Sequence, residues 1–198
     1  MNPEKILAIS AVFISILALC VSIWQGKLSK EHNRLSLAPY LQVSPKLVGD
    51  SESGLYLENA GTGSARIQSA YISARGKSFD LTSNGWPKFC KHIGVIPGCF
   101  RNSWLRPGAA IIAGKELPLI SLTKADLLLP ECDAEAIKFL TEPDVKLTIQ
   151  YISPYNDIYQ LSEKITINES DLGEFADFID MLKNKIKSMQ LTTKVPAD

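Results

Sequence analysis

The segment GLYLENAGTGSARIQSAYI, residues 54–72, decides the fold class because two glycines interrupt a run that otherwise reads as strand. Gly61 and Gly63 would suit a phosphate-binding loop only if a helix opened directly after them. The residues that follow instead continue as strand, turn in ARGK and return as a second strand in SFDL. We therefore predict a strand-to-strand bend formed by Asn59, Gly61 and Gly63, in which the glycines supply positive φ angles.

Strand patterns continue through most of residues 39–169. AAIIAGKELPLISL reads as strand, and DVKLTIQYISPYNDIYQLSEKITI reads as a hairpin that turns at SPYND. We expect loops or short edge strands in SNGWPKFCKHIGVIPGCFRNSWLRPG, which is rich in glycine, proline and aromatic residues, and the one interior helical stretch in LTKADLLLPECDAEAIKFL. The predicted fold is mainly β: an antiparallel β-sandwich of about seven or eight strands.

A membrane segment precedes this domain. After a short tail, residues 1–5, the stretch ILAISAVFISILALCVSIW from Ile6 to Trp24 contains no charged residue, histidine, asparagine or glutamine. As a helix it would span roughly 28 Å, close to the hydrocarbon thickness of a bilayer. It runs past the usual length of a signal peptide without a small-residue cleavage site. We predict an uncleaved transmembrane helix over residues 6–24, with a cleaved signal and a buried core helix as the alternatives.

The charges flanking this segment bear on its orientation. Lys27, Lys30 and Arg34 follow it in a juxtamembrane connector, residues 25–38, whereas Lys5 and the terminal amine precede it. Because basic flanks prefer the cytoplasmic side, the pattern favours a single-pass membrane protein with its C-terminal domain in the cytoplasm. A periplasmic domain is the alternative.

Two helical stripes offer packing surfaces. In the membrane segment, small residues at steps of three and four would let a partner helix approach closely: Ala8, Ala11, Ser15, Ala18 and Ser22. A C-terminal amphipathic helix is predicted over residues 170–189, before a tail at 190–198, with an apolar face of Leu172, Phe175, Ile179, Leu182, Ile186 and Met189. This face could pack on the sandwich, join a partner helix or lie on the membrane.

Two motifs carry a resemblance to a group of proteins. The first is HNRLS followed by a proline, here His32, Asn33, Arg34, Leu35 and Ser36 with Pro39. The second is L-x-L-x-N-x-G-x-G-x-A-x-I, here Leu55, Leu57, Asn59, Gly61, Gly63, Ala65 and Ile67. Over its first third, and weakly in the late hairpin, the chain resembles short bacterial membrane-anchored proteins of unknown function. The resemblance implies an Ig-like β-sandwich tethered to the bacterial inner membrane, and no particular activity.

Few residues could carry catalysis or bind a metal. His32 and His92 are the only histidines and no G-x-S-x-G motif occurs, so we expect no catalytic triad. Cys90, His92 and Cys99 are weak zinc candidates, because their spacing is not a recurring one. In an extracytoplasmic domain a Cys90–Cys99 disulfide would be reasonable and would leave Cys132 unpaired, whereas in the cytoplasm all three would be reduced.

The composition excludes one class of function and leaves others open. With 21 basic and 21 acidic residues, the chain has no excess charge for holding nucleic acid. Our leading expectation is a non-enzymatic, cofactor-free membrane protein whose sandwich serves as an interaction or sensing module. Its partners would be the bilayer and a second protein or copy, as in an accessory subunit of a membrane complex. The alternatives are a periplasmic tethered domain that binds an envelope component, and a metal-binding or enzymatic domain.

Overall fold

The computed structural model describes residues 3–46, 54–122 and 132–165, and the chain divides into two compact units, Met1–Ala38 and Pro39–Asp198. The first unit is helix α1, Pro3–Ser36, whose residues are all exposed. Within the described ranges it is the one helix long and apolar enough to cross a membrane. The helix continues through most of the predicted connector and ends before Pro39, as a proline at that position predicts.

The second unit contains nine described strands in two sheets. All strand pairings are antiparallel. The strands are β1 Leu41–Lys46, β2 Gly54–Asn59, β3 Ala65–Ala74, β4 Lys77–Asp80, β5 Phe100–Asn102, β6 Ala110–Ile111, β7 Glu116–Leu122, β8 Lys146–Ile152 and β9 Ile158–Lys164. One sheet has the order β1-β2-β7-β5. The other has the order β4-β3-β8-β9, with the short β6 also paired to β3.

Both sheets contribute to one hydrophobic core. Burial alternates along β2 and β8, so that Leu55 and Leu57 from one sheet share the core with Leu147 and Ile149 from the other. Each such side chain contributes about 1.5–3 kcal/mol when it is fully buried. The alternation that predicted strands in the sequence therefore also selects the face that each strand buries.

The fold class is mixed, because the helices hold about as many of the described residues as the strands do. The expectation of a mainly β chain was therefore too narrow, and the strand number is slightly higher than the predicted seven or eight. The bend after residue 59, the strand pair β3–β4 and the late hairpin β8–β9 are confirmed. The predicted C-terminal helix, residues 170–189, lies outside the described residues.

The segment expected to form loops contains a helix, α2, Gly85–Ile93. Its glycines and prolines suggested loops, but Pro87 lies in the first turn, where a missing amide hydrogen costs little, and Gly94 ends the helix with a φ of 76°. The helix buries one face made of Trp86, Phe89, Cys90 and Ile93. The predicted interior helix is present as α3, Cys132–Leu140, but it is not the only one in this unit.

Candidate functional site

The bend between β2 and β3 is built around the side chain of Asn59, which is completely buried. Its Nδ2 donates hydrogen bonds to the carbonyl oxygens of Gly63, at 2.8 Å, and Ile111, at 2.9 Å. Its Oδ1 accepts from the backbone amides of Tyr40, at 3.2 Å, and Gly61, at 3.1 Å. This amide therefore links the residues next to β1 and β3 with β6, which is a structural role rather than ligand binding.

The glycines of this bend do not adopt the predicted conformation. In the part of the chain that the structure describes, the glycines with positive φ are Gly76, Gly94, Gly108 and Gly114. The expectation of positive φ at Gly61 and Gly63 was therefore wrong. Instead, their backbone groups supply an amide and a carbonyl to the Asn59 side chain.

The small-residue stripe of α1 forms bonds within its own helix. The Ser15 hydroxyl donates to the carbonyl of Ala11 and the Ser22 hydroxyl to that of Ala18, both at 2.8 Å. These hydroxyls thus have partners one turn back without help from a second helix. The other predicted helix face, from Leu172 to Met189, lies outside the described residues.

The cysteines pair differently from the expectation. Cys99, just before β5, forms a disulfide with Cys132 at the start of α3, with 5.1 Å between the Cα atoms, and both residues are buried. The Cys90–Cys99 pairing was wrong because Cys90 lies on the buried face of α2, where it remains a free thiol. Burial raises the pKa of Cys90 to about 11, and the nearby Glu135 carboxylate adds to that rise.

The weak zinc candidates do not come together as a ligand set. Among the described residues there is no group of three histidine, cysteine or acidic side chains arranged to hold a metal ion. The Cys99 sulfur belongs to the disulfide, and the His92 ring packs against Phe79 with 5.3 Å between centroids. His32 is an exposed residue of α1.

The tyrosines of the late hairpin mainly serve packing. Tyr151 is buried and stacks on Tyr159 with 5.6 Å between centroids. The Tyr151 hydroxyl accepts a hydrogen bond from the amide of Leu41 at 3.3 Å and so joins β8 to the start of β1. Burial raises the pKa of Tyr151. Tyr155, in the turn, is exposed.

A cleft of about 590 Å³ lies between β4, the turn that follows it and α2. This β4–α2 cleft was not predicted from the sequence, because its helical wall lies in the segment expected to form loops. Its lining combines basic, hydroxyl and aromatic side chains: Lys77, Ser78, Phe79, Asp80, Ser83, Gly85, Lys88, Lys91 and His92. A cavity of this size can hold a small molecule or part of a larger one.

The cleft concentrates positive charge in a chain whose formal net charge is zero. Its three lysines are exposed, and none forms an ion pair within the described ranges. Lys88 and Lys91 lie one turn apart on α2, a spacing at which like charges repel each other by a few tenths of a kcal/mol. Lys77 lies across the cleft on β4, with its Nζ 5.4 Å from the centre of the Phe79 ring.

Asp80 is the one acidic residue of the lining, and it is engaged by the adjoining turn. Its Oδ1 accepts hydrogen bonds from the Thr82 hydroxyl, at 2.6 Å, and the Thr82 amide, at 2.8 Å. The bond from the Thr82 hydroxyl is the main cause that lowers the pKa of Asp80. The carboxylate therefore holds the turn between β4 and α2 in its ionised form.

The start of α2 approaches β4 so closely that only glycine fits there. A Cβ atom on Gly85 would lie 2.3 Å from the carbonyl oxygen of Asp80, well inside contact distance. The preceding Asn84 has a left-handed φ of 59° and gives α2 no side-chain cap. The positive end of the helix dipole is therefore not offset by a capping side chain at this end of the cleft.

His92 adds a buried polar atom without a partner. In the described ranges its Nε2 is inaccessible to solvent and has no hydrogen-bond acceptor or donor. The signal that could have revealed the cleft is the spacing of Lys88, Lys91 and His92 on the polar side of α2. This spacing places the three residues on one side of α2 only if residues 85–93 are recognised as a helix.

In comparisons with known proteins, no family model matches this chain and no curated protein matches it. Two features of the described structure carry chemical information about function. They are the Cys99–Cys132 disulfide and the basic β4–α2 cleft.

Proposed function

We propose that this chain is a non-enzymatic, single-pass membrane protein that holds a disulfide-bonded, Ig-like binding domain on the extracytoplasmic side of a bacterial inner membrane. There the domain binds an envelope component. Helix α1 serves as the anchor, and the Cys99–Cys132 disulfide is the observation that carries the proposed location.

The disulfide favours an oxidising compartment over the cytoplasm. Disulfides persist in the periplasm and outside cells, whereas cytosolic reductants keep most thiols reduced. A bridge between residues 33 apart in sequence would stabilise the domain by roughly 3–4 kcal/mol on the chain-entropy estimate. The three basic residues after the membrane segment favour the opposite orientation, but Lys5 and the terminal amine precede it, so the difference between the two flanks is small. In assigning the location we give the disulfide the greater weight, because Cys99 and Cys132 lie 33 residues apart in sequence and are brought together only by the fold of the domain.

The strand order supports an Ig-like architecture. The sheet β1-β2-β7-β5 corresponds to the A-B-E-D order of Ig-type sandwiches. The sheet β4-β3-β8-β9 corresponds to C′-C-F-G, and β6 is an additional short strand. Helices α2 and α3 then occupy the C′–D and E–F connections. Because this architecture hosts many unrelated tasks, it supports a binding scaffold without naming the ligand.

The chemistry of the cleft favours binding over catalysis. A serine nucleophile would need a histidine base within hydrogen-bond distance. Ser78, Ser83 and His92 share the lining, but His92 Nε2 has no hydrogen-bond partner among the described residues. The free thiol of Cys90 is buried, and its raised pKa disfavours the nucleophilic thiolate. What the cleft offers is positive charge in a concave surface.

The proposed location is tested by the redox state of the cysteines in living cells. Cells that express a Cys20→Ala variant are quenched in acid, and the denatured chain is alkylated before and after reduction. We expect Cys90 to react without reductant, and Cys99 and Cys132 to react only after reduction. Alkylation of all three cysteines without reductant would place a reduced domain in the cytoplasm and reject the proposal.

Protease access gives a second measure of the same location. Trypsin added to intact spheroplasts should degrade the domain, and trypsin added to inverted membrane vesicles should leave it protected. A cytoplasmic protein in the same cells serves as the control for leakage. The reverse pattern would contradict the extracytoplasmic placement even if a disulfide were found.

A further inference from the structure

We propose that the β4–α2 cleft is a binding site for a phosphate-bearing anion, held between the lysines of β4 and α2. This inference rests on the proposed role of the domain as a binding module and names the chemical class of its ligand. It does not depend on the side of the membrane, because the cleft is formed within the second unit of the chain.

The first argument is the excess positive charge of the cleft, where three lysines share the lining with one carboxylate. Lys77, Lys88 and Lys91 approach it from two walls, and the described structure gives none of them a carboxylate partner within 4 Å. The acidic residue beside them, Asp80, directs Oδ1 to Thr82. A solvated surface of a charge-balanced protein would normally intersperse both signs. Here a bound anion would relieve the repulsion between neighbouring lysines.

The second argument is the set of hydrogen-bond donors. Three lysines and two serines, Ser78 and Ser83, are among the residues that line the cavity, and each of these residue types can donate hydrogen bonds to an anion. A phosphate group presents several acceptor oxygens and up to two negative charges, so it can use donors from both walls at once. The uncapped start of α2 at Gly85 adds a partial positive charge of the sign that phosphate prefers.

The third argument is that the walls are held in place without the ligand. The Asp80–Thr82 hydrogen bonds hold the turn, Gly85 permits the close approach of α2, and Phe79 packs edge-on against Phe89 with 5.8 Å between ring centroids. The lysines therefore project from a prearranged backbone, which lowers the entropic cost of binding.

The test uses the purified full chain in a non-ionic detergent and isothermal titration calorimetry. The probes are inorganic pyrophosphate and, in a separate arm, dihexanoyl phosphatidylglycerol below its micelle concentration. We expect saturable binding of at least one probe, with affinity that falls as salt is raised. Tighter binding of pyrophosphate would identify a soluble phosphate ligand, and tighter binding of the short lipid would identify a lipid head group. Both outcomes support the site, and failure of both probes to bind at millimolar concentration overturns it.

Matched variants connect binding to this cleft. The double substitution Lys88→Gln and Lys91→Gln should weaken binding at least tenfold. The control pair, Lys115→Gln and Lys146→Gln, removes the same charge from exposed positions outside the cleft and should change affinity less than twofold. Equal weakening by the two pairs would show a non-specific charge effect and overturn the proposal.

Lysine acetylation of the protein without substitutions tests the same site and does not depend on whether the variants fold. Lysines are acetylated with acetic anhydride, with and without the bound probe, and the modified positions are read by mass spectrometry. Protection should appear at Lys77, Lys88 and Lys91 and be absent at Lys115. Protection spread evenly over these lysines would contradict the site. Because neither measurement depends on cellular location, a negative result here leaves the proposed compartment to be judged by cysteine redox state and protease access.

Discussion

Replacing Asn59 by alanine should destabilise the domain more than any change to an exposed polar residue of the sheets. The substitution removes four hydrogen bonds from a completely buried amide. It leaves the buried carbonyl groups of Gly63 and Ile111 without this donor, and each unsatisfied buried group costs about 1–3 kcal/mol. The expected loss is about 2–5 kcal/mol. For a domain of this size, each kcal/mol lowers Tm by roughly 2–4 °C.

The aspartate variant separates hydrogen bonding from shape. Asn59→Asp keeps the size of the side chain but puts a carboxylate oxygen against two carbonyl oxygens, at the positions now 2.8 and 2.9 Å from Nδ2. At neutral pH it should therefore destabilise at least as much as alanine does. Burial should raise the pKa of this new carboxyl group, and its protonated form can donate one bond. The stability of the variant relative to the parent should then increase as the pH falls through that raised pKa.

The assay is thermal unfolding of the oxidised full chain in non-ionic detergent, followed by tryptophan fluorescence, in which the buried Trp86 becomes exposed on unfolding. Asn102→Ala is the matched control, because Asn102 is exposed at the end of β5 and its loss should change stability by less than about 0.5 kcal/mol. If Asn59→Ala lowers Tm by no more than the control does, the bend does not depend on the asparagine side chain.

Three further outcomes follow from the other buried groups. Reducing the Cys99–Cys132 disulfide, or replacing both residues with alanine, should cost roughly 3–4 kcal/mol, and an unchanged Tm in reductant would contradict its structural role. With its pKa raised to about 11, Cys90 should resist alkylation in the folded protein at pH 8 and react faster as the pH approaches 11. After denaturation it should react readily, and rapid labelling of the native protein would refute its burial. Arg75 pairs with the buried Glu142 carboxylate at 2.5 and 2.7 Å, so Arg75→Met should cost about 1–2 kcal/mol, and the cost should shrink in a Glu142→Gln background. An equal cost in both backgrounds would show that the pair is not coupled.

The sequence predicts those helices and strands whose apolar residues form a clear local pattern. The alternation in residues 54–59 and 65–74 gives β2 and β3, and the long apolar stretch gives the membrane-length helix α1. Helix α2 was missed because Pro87 and Gly94 were read as loop residues, although both occupy positions that suit the ends of a helix. The buried residues of α2 recur at helical spacing, so the helical pattern is present in the sequence but extends over only nine residues.

The cysteine pairing could not be predicted from the sequence, because it depends on contacts between residues far apart in the chain. Cys90 and Cys99 are close together in the sequence. However, Cys90 is buried as a free thiol on α2, whereas Cys99 forms the disulfide with Cys132 of α3, 33 residues later. Spacing along the chain reports neither of these facts, because a disulfide requires Cα atoms close together in the folded state.

The β4–α2 cleft depends on the same kind of long-range arrangement. Lys77 and Lys91 are fourteen positions apart in the sequence, and they line one cavity because the turn at Asp80 and Gly85 brings α2 back against β4. The zero net charge of the chain hides this local excess, since composition averages over surfaces that a ligand meets separately. Anion binding in the cleft should therefore depend on the residues that close the turn as well as on the lysines. Gly85→Ala should accordingly weaken anion binding even though it removes no charged group, because the added Cβ forces α2 away from β4. Calorimetry with pyrophosphate on a variant that still unfolds cooperatively would measure this effect, and unchanged affinity would show that the lysines bind without the close approach of the two walls.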